Sequence, residues 1–278
     1  MKLDFLRPNA AIEETARTTP AYSFWGYTWR FILVSLAAVF PAFFAYLAIG
    51  FLLSFFGNIA VEALLLNAIL RITLSIGILA VTHLYCHKAS GRSYASMGLV
   101  KKGATKQFLL GLLFGLAVCA INLGIAVGFG VFEVNKDLNA FIVLSHLLSL
   151  LILTPILDML EIGYYFGGVA SSKGVLYALV GCTCLSLLLG SAGIENGIIY
   201  MISSVLMVLF SYLYFLYSGS IWGTAAFRGI LTLVDRSMFV MENAPTAYTV
   251  VSSAVTVLTP VLGIAVLLYL LWRRNKAE

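Results

Sequence analysis

The sequence predicts an all-α fold, a polytopic membrane helical bundle of about eight transmembrane helices. Three observations predict it. Of 278 residues, 61% are hydrophobic and 10% charged, with a mean hydropathy of +1.00; a soluble domain is about 45–50% apolar and about 25% charged. The apolar residues fall in runs close to the roughly 20 that a bilayer-crossing helix needs. The charges gather mostly between those runs. No soluble core from a chain this long hides so much apolar surface. Soluble enzymes, nucleic-acid binders and secreted disulfide domains are therefore excluded. The net charge of +5 fits basic loops facing anionic lipid. Cys86, Cys119, Cys182 and Cys184 lie within or beside apolar runs and form no CxxC pair, so they read as small packing residues.

Residues 1–30 mix Asp4, Arg7, Glu13, Glu14, Arg17 and Arg30 with Pro8 and Pro20. They lack the apolar stretch and small-residue cleavage site of a signal peptide, and read as a cytoplasmic or interfacial segment. Its YSFWGYTW stretch (Tyr22–Trp29) is an aromatic anchor at the membrane boundary. The transmembrane domain occupies 31–272 and a basic cytoplasmic tail 273–278. Within the domain the apolar runs are Phe31–Phe56, Val61–Tyr85, Phe108–Phe132, Ala140–Tyr165, Val175–Gly190, Ile198–Tyr217, Ile221–Phe239 and Tyr248–Trp272. Lys88, Arg92, Lys101, Lys102 and Lys106 make the segment between runs two and three the one clearly basic loop. Positive residues stay on the cytoplasmic side, which places that loop and both termini there. An even number of crossings satisfies this. The opposite ends carry Glu133, Lys136, Asp137, Glu195, Asp235, Arg236 and Glu242, without a basic excess. Run three holds two small-xxx-small steps, Gly111–Gly115 and Gly124–Gly128, which let a second helix approach closely. Packing inside one chain and a homodimer face both use such a step.

Charge in hydrocarbon costs about 2.5–3.5 kcal/mol per residue on insertion scales, so ionisable groups inside the runs ask for a reason. They are Glu62, Arg71, Asp158, Glu161 and Arg228, with His83 and His146. Glu62 and Arg71 are nine residues apart, about 14 Å along a helix, too far to pair directly. Asp158 and Glu161, three apart, share one helix face just after Pro155, which breaks or kinks a helix near Thr154. Two carboxylates so placed could bind a metal, share a proton or pair with an arginine. Arg228, in the middle of run seven, is their natural countercharge. His83 and His87 sit at helical spacing beside Cys86; that spacing can hold a metal, yet no acidic ligand is near in sequence, so the stretch reads as a polar helix end. His146 reads as a packing histidine.

From about Leu84 to Phe239 the order of features resembles the CAAX protease and bacteriocin-processing (CPBP or Abi) family of intramembrane proteases. The basic loop ending SMGLV (Ser96–Val100), followed by KKGATKQFLLGLLFG, is similar to that family's Leu-Gly-Leu loop and glycine-rich helix. TPILDMLEIGYYFGG (Thr154–Gly168) resembles the helix that carries Glu-Glu-x-x-x-Arg-Gly, and YFLYSGSIWGTAAFRGI (Tyr214–Ile230) resembles the turn into the family's last catalytic helix. The resemblance implies a glutamate and histidines that activate water, with a metal in active members. The residues depart from it. Glu161 keeps the first Glu, but Ile162 stands at the second and Phe166 at the Arg. Arg228 stands where a histidine is expected, Thr232 where Asn or Asp is, and no histidine occurs in Val175–Gly193. The last histidine of the chain is His146.

Without those histidines a water-activating site is not assembled, and Arg228 adds positive charge where a cation would sit. The expectation is a degenerate family member with no catalytic residue, metal or other cofactor, in which Glu161 and Asp158 are vestigial and bind Arg228. It would act as a membrane interaction or regulatory protein, as scaffold or in a bacteriocin-immunity type of role. It would lie multi-pass in a bacterial cell membrane, its partners the lipid bilayer and another membrane protein or a membrane-embedded peptide, with no nucleic acid. Two other classes stay open: a peptidase whose site is relocated to Asp158 and Glu161, and a small transporter with an Asp158/Glu161/Arg228 polar path.

Overall fold

In a bilayer the backbone finds no water, so an apolar chain pairs its N–H and C=O groups within helices. The computed structural model, which describes residues 6–53, 55, 59–131, 133–134, 143–144, 147, 149–190, 198–234, 239–240 and 246–277, is helical nearly throughout. The α-helices are α1 (Ala10–Thr18), α2 (Phe24–Leu53), α3 (Ile59–Thr82), α4 (Ala104–Gly128), α5 (Thr154–Asp158), α6 (Gly167–Lys173), α7 (Val175–Gly190), α8 (Ile198–Ser218), α9 (Trp222–Leu233) and α10 (Thr246–Ala277). Three wider π-helical stretches join or extend them: π1 (His83–Ala89), π2 (Ser149–Leu153) and π3 (Met159–Phe166). The two-residue strands β1 (Glu133–Val134) and β2 (Phe239–Val240) pair antiparallel, Glu133 opposite Val240.

Among the described residues five helical stretches are long and apolar enough to cross a membrane: Phe24–Leu52, Ala104–Gly128, Leu150–Lys173, Met201–Ser218 and Val251–Lys276. They carry exposed large apolar side chains, among them Trp29, Phe44, Phe51, Leu113 and Leu262. Such a belt is stable in lipid and costly in water. The other runs differ for physical reasons. α7, with 16 residues, and α9, with 12, reach only about 24 and 18 Å against a hydrocarbon core of about 30 Å. α3 has 24 residues, but side chains in its first half lie outside the described residues.

Several expected boundaries are corrected. The first long helix starts at Phe24, so the aromatic stretch belongs to its opening turns rather than preceding it. In run four the helical path continues past Tyr165 to Lys173, stopping at Gly174, whose φ of 92° breaks it. Run seven stops as a helix at Leu233, and Phe239 lies in β2 instead. The N-terminal segment is an ordered part of the fold. Asn9 caps α1 by accepting from the Ile12 N–H at 3.0 Å. Ala11, Ile12 and Thr15 then turn one face of α1 into the core, where it packs on α6.

Pro155 sits in the first turn of α5. Its ring excludes the regular turn beneath it and removes one N–H, and the chain before it widens into π2. π3 lies at the centre of the molecule. Phe166 stacks on Tyr212 with centroids 4.4 Å apart and Tyr165 stacks on Phe31 at 4.9 Å. Gly163 lets the Met97 backbone touch the helix, because a Cβ there would lie 2.0 Å from the Met97 carbonyl oxygen. α4 packs on α9 through the first glycine step of run three, with Gly111 against Gly223 and Gly115 against Phe227 and Ile230. Gly124 and Gly128 face open space.

Candidate functional site

α5 ends on Asp158, π3 carries Glu161 in its first turn, and α9 faces both. Arg228, projecting from α9, donates from Nη1 to Asp158 Oδ1 at 2.6 Å and to Glu161 Oε2 at 3.2 Å. One guanidinium therefore bridges both carboxylates, and the expected countercharge is shared between them. Asp158 has no exposed side-chain surface, whereas Glu161 keeps 22% and Arg228 34%. The aspartate is thus the inner anchor, and the other two look outward. Asp158 Oδ2 has no hydrogen-bond partner among the described residues.

The opening beside Arg228 is a cavity of about 310 Å³ between α4, α8, α9 and α10. Asn122, Ser203, Ser204, Thr256 and Thr259 supply its polar lining, and Val118 and Phe227 part of its apolar lining. Asn122 Oδ1 is buried without a partner among the described residues, while Ser203 donates to the Thr256 carbonyl at 3.3 Å. Sequence reasoning passed over this chamber. Its hydroxyls are spread over two distant helices and follow no motif, and the lone amide at Asn122 was the one signal.

Arg92 is a second arginine held within the fold and corrects the reading of the basic loop. It is fully buried, not displayed to lipid. Its Nη1 donates to the Tyr164 carbonyl at 2.8 Å; its Nη2 donates to the Gly163 and Ser96 carbonyls and to Thr15 Oγ1 at 2.9–3.0 Å. These bonds tie the loop to α1 and π3. Burial pushes the guanidinium below its ordinary pKa, yet arginine stays charged at neutral pH. Lys101, Lys102 and Lys106 are exposed as expected.

His83 and His87 face one ring partner, Tyr94, stacked at 6.2 and 5.2 Å. His83 Nδ1 bonds the Tyr94 hydroxyl at 2.6 Å, and His87 Nδ1 bonds the Arg92 carbonyl oxygen at 2.9 Å. Both are tied into the end of π1, the polar helix end that the spacing suggests. Cys86, Cys119 and Cys182 are buried and Cys184 is exposed, and all four are free thiols. The side chains of Glu62 and Arg71, and all of His146, Lys136, Asp137, Glu195, Asp235, Arg236 and Glu242, lie outside the described residues.

The metal that the family resemblance implies for active members does not fit these residues. The space between the carboxylates holds a guanidinium, whose charge repels a cation. Among the described residues no three His, Cys, Asp or Glu side chains converge. The chemistry the arrangement offers is charge pairing beside a small polar chamber. Set against protein-family models, characterised proteins and solved structures, the chain matches none.

Proposed function

We propose that this chain is a multi-pass membrane protein of eight crossings with both termini cytoplasmic. In this reading it is a catalytically degenerate relative of the CPBP intramembrane proteases that binds a membrane partner. One observation carries the reading: Arg228 engages both Asp158 and Glu161. A carboxylate that serves as general base must be free to take a proton from water, and a carboxylate dyad needs its two groups to share one proton. A guanidinium bonded to both takes up the carboxylate oxygens that either chemistry would use. What remains open at Arg228 is a chamber of hydroxyls and one amide, donors and acceptors suited to holding a polar group of a membrane-embedded segment. Removing one member of such a buried pair leaves uncompensated charge, about 3–5 kcal/mol, so the triad also fixes α9 against α5 and π3.

The test isolates the tagged protein from its native membranes in a mild detergent, beside Arg228→Gln and Thr259→Leu. Thr259 lines the chamber and its hydroxyl donates to the Val255 carbonyl of its own helix, so Thr259→Leu blocks the chamber even if Arg228→Gln misfolds. The expected result is one membrane protein recovered near one-to-one with the wild type and at least tenfold less with Thr259→Leu. Purified wild type is expected to cleave neither that partner nor membrane-embedded peptides. Cleavage that Glu161→Gln abolishes would instead establish the relocated peptidase. Vesicle uptake of a solute lost in Thr259→Leu would establish the transporter.

A further inference from the structure

A trough runs along the outside of the bundle between α4, α8, α9 and α10, with a volume of about 510 Å³. Leu110, Phe114, Ile121, Leu262 and Val266 give it apolar walls, and Leu110, Phe114, Ile121, Leu262 and Val266 are all exposed. Its two ends differ. One end carries Lys106 together with Gln107, which accepts a hydrogen bond from the Tyr214 hydroxyl. The other shares Val118, Phe227 and Thr259 with the chamber at Arg228, so those side chains border both spaces.

The charged end is built for an anion. Lys101 and Lys102 precede α4 and Lys106 lies in its first turns, all exposed. Gly103 caps α4 with no side chain, and no acidic residue stands in the first turn. The positive end of the helix dipole, which no side chain caps, and the lysines thus add positive potential at one place. Lys106 and Ile121 lie fifteen residues apart, about 22 Å along the helix. One leaflet contributes roughly half of a 30 Å hydrocarbon core, so the trough is long enough for a whole lipid tail.

We propose that this trough is a binding site for an acidic glycerophospholipid of the surrounding bilayer. One acyl chain lies against Phe114 and Leu262, and the phosphate sits at Lys106 beside the start of α4. The site rests on the membrane setting and not on the identity of any protein partner. Its occupant would cover the outer wall of the Arg228 chamber, leaving Val118, Phe227 and Thr259 between the lipid tail and the polar lining.

The full-length protein, reconstituted in vesicles of equimolar phosphatidylglycerol and phosphatidylcholine with identical tails, is released into native mass spectrometry and its retained lipids counted. Phosphatidylglycerol is expected to exceed phosphatidylcholine at least fivefold. Replacing Lys101, Lys102 and Lys106 together by Gln brings the ratio to near one, and raising salt lowers it. Ala117→Trp fills the trough from an exposed position and cuts retention of both lipids. Leu113→Trp, exposed on α4 outside the trough, leaves retention unchanged. Equal retention of the two lipids by the wild type would overturn the proposal. So would a ratio that ignores the lysines, or a cross-link from position 262 to a protein chain, whether a second copy or a partner.

Discussion

Arg92 and Arg228 are both arginines held inside an apolar chain, and their surroundings neutralise them differently. Arg228 has carboxylates at 2.6 and 3.2 Å, while the bonds of Arg92 go to three carbonyl oxygens and a hydroxyl. Carbonyl dipoles suit a guanidinium because its planar fork reaches several acceptors at once, which an ammonium cannot. Arg92→Met should therefore leave the Tyr164, Gly163 and Ser96 carbonyls and Thr15 Oγ1 without this donor and cost about 3 kcal/mol or more. Arg92→Lys should recover less than half of that. Thermal unfolding in detergent measures both, and a lysine variant as stable as wild type would show that charge alone matters. The two arginines also differ in how far the sequence reveals them. Asp158, Glu161 and Arg228 are ionisable groups in runs that hold few others, so their pairing is legible. Arg92 stands among loop lysines and its acceptors are mostly backbone atoms, which leave no trace in residue type.

At the scale of elements, glycine spacing and proline position were legible, but not which glycines meet a neighbour. The steps Gly111–Gly115 and Gly124–Gly128 look alike in sequence. The first packs within the chain, since a Cβ on Gly111 would lie 2.0 Å from the Gly223 carbonyl oxygen; the second meets nothing within 4 Å. Gly111→Ala should thus force α4 away from α9 and cost about 3 kcal/mol. Gly124→Ala should be neutral to about 1 kcal/mol stabilising, because alanine is the better helix former. Chemical denaturation of the two variants separates them, and equal loss in both would mean that Gly124 also packs against a neighbour. Pro155 gave away an interruption near Thr154, but not its form. The path widens into π turns on both sides of α5 and continues to Lys173. An α-helical period therefore places Asp158 and Glu161 on one face only approximately, and Arg228 spans the difference by bonding both.

At the scale of the whole molecule, one end of the bundle gathers the N-terminal segment, the basic loop and the C-terminal helix end. Asn9 donates to the Phe215 carbonyl at 2.5 Å, Ile221 N–H to the Gly98 carbonyl at 3.1 Å, and Arg274 to the Leu216 carbonyl at 3.4 Å. The proposed topology puts these tied segments on one side of the membrane, with an even number of crossings between α1 and the end of α10. Lys101, Lys102, Lys106, Arg274 and Lys276 belong to that end, which the proposed topology turns to the cytoplasm on the ground of its charge. β1 and β2 pair with each other elsewhere, joining the segments that follow α4 and α9 on what this arrangement makes the opposite side. Labelling of single cysteines in intact cells with a membrane-impermeant maleimide, in a background with Cys184→Ala, tests the arrangement. Lys102→Cys and Lys276→Cys should react only after permeabilisation, whereas Lys136→Cys and Glu195→Cys should react from outside. The five longest apolar stretches alone, crossing as the only spans, would put the two termini on opposite sides. External labelling at one of Arg17→Cys, which is exposed and precedes all five, and Lys276→Cys, with protection at the other, is the pattern that would establish that odd count and remove the shared end.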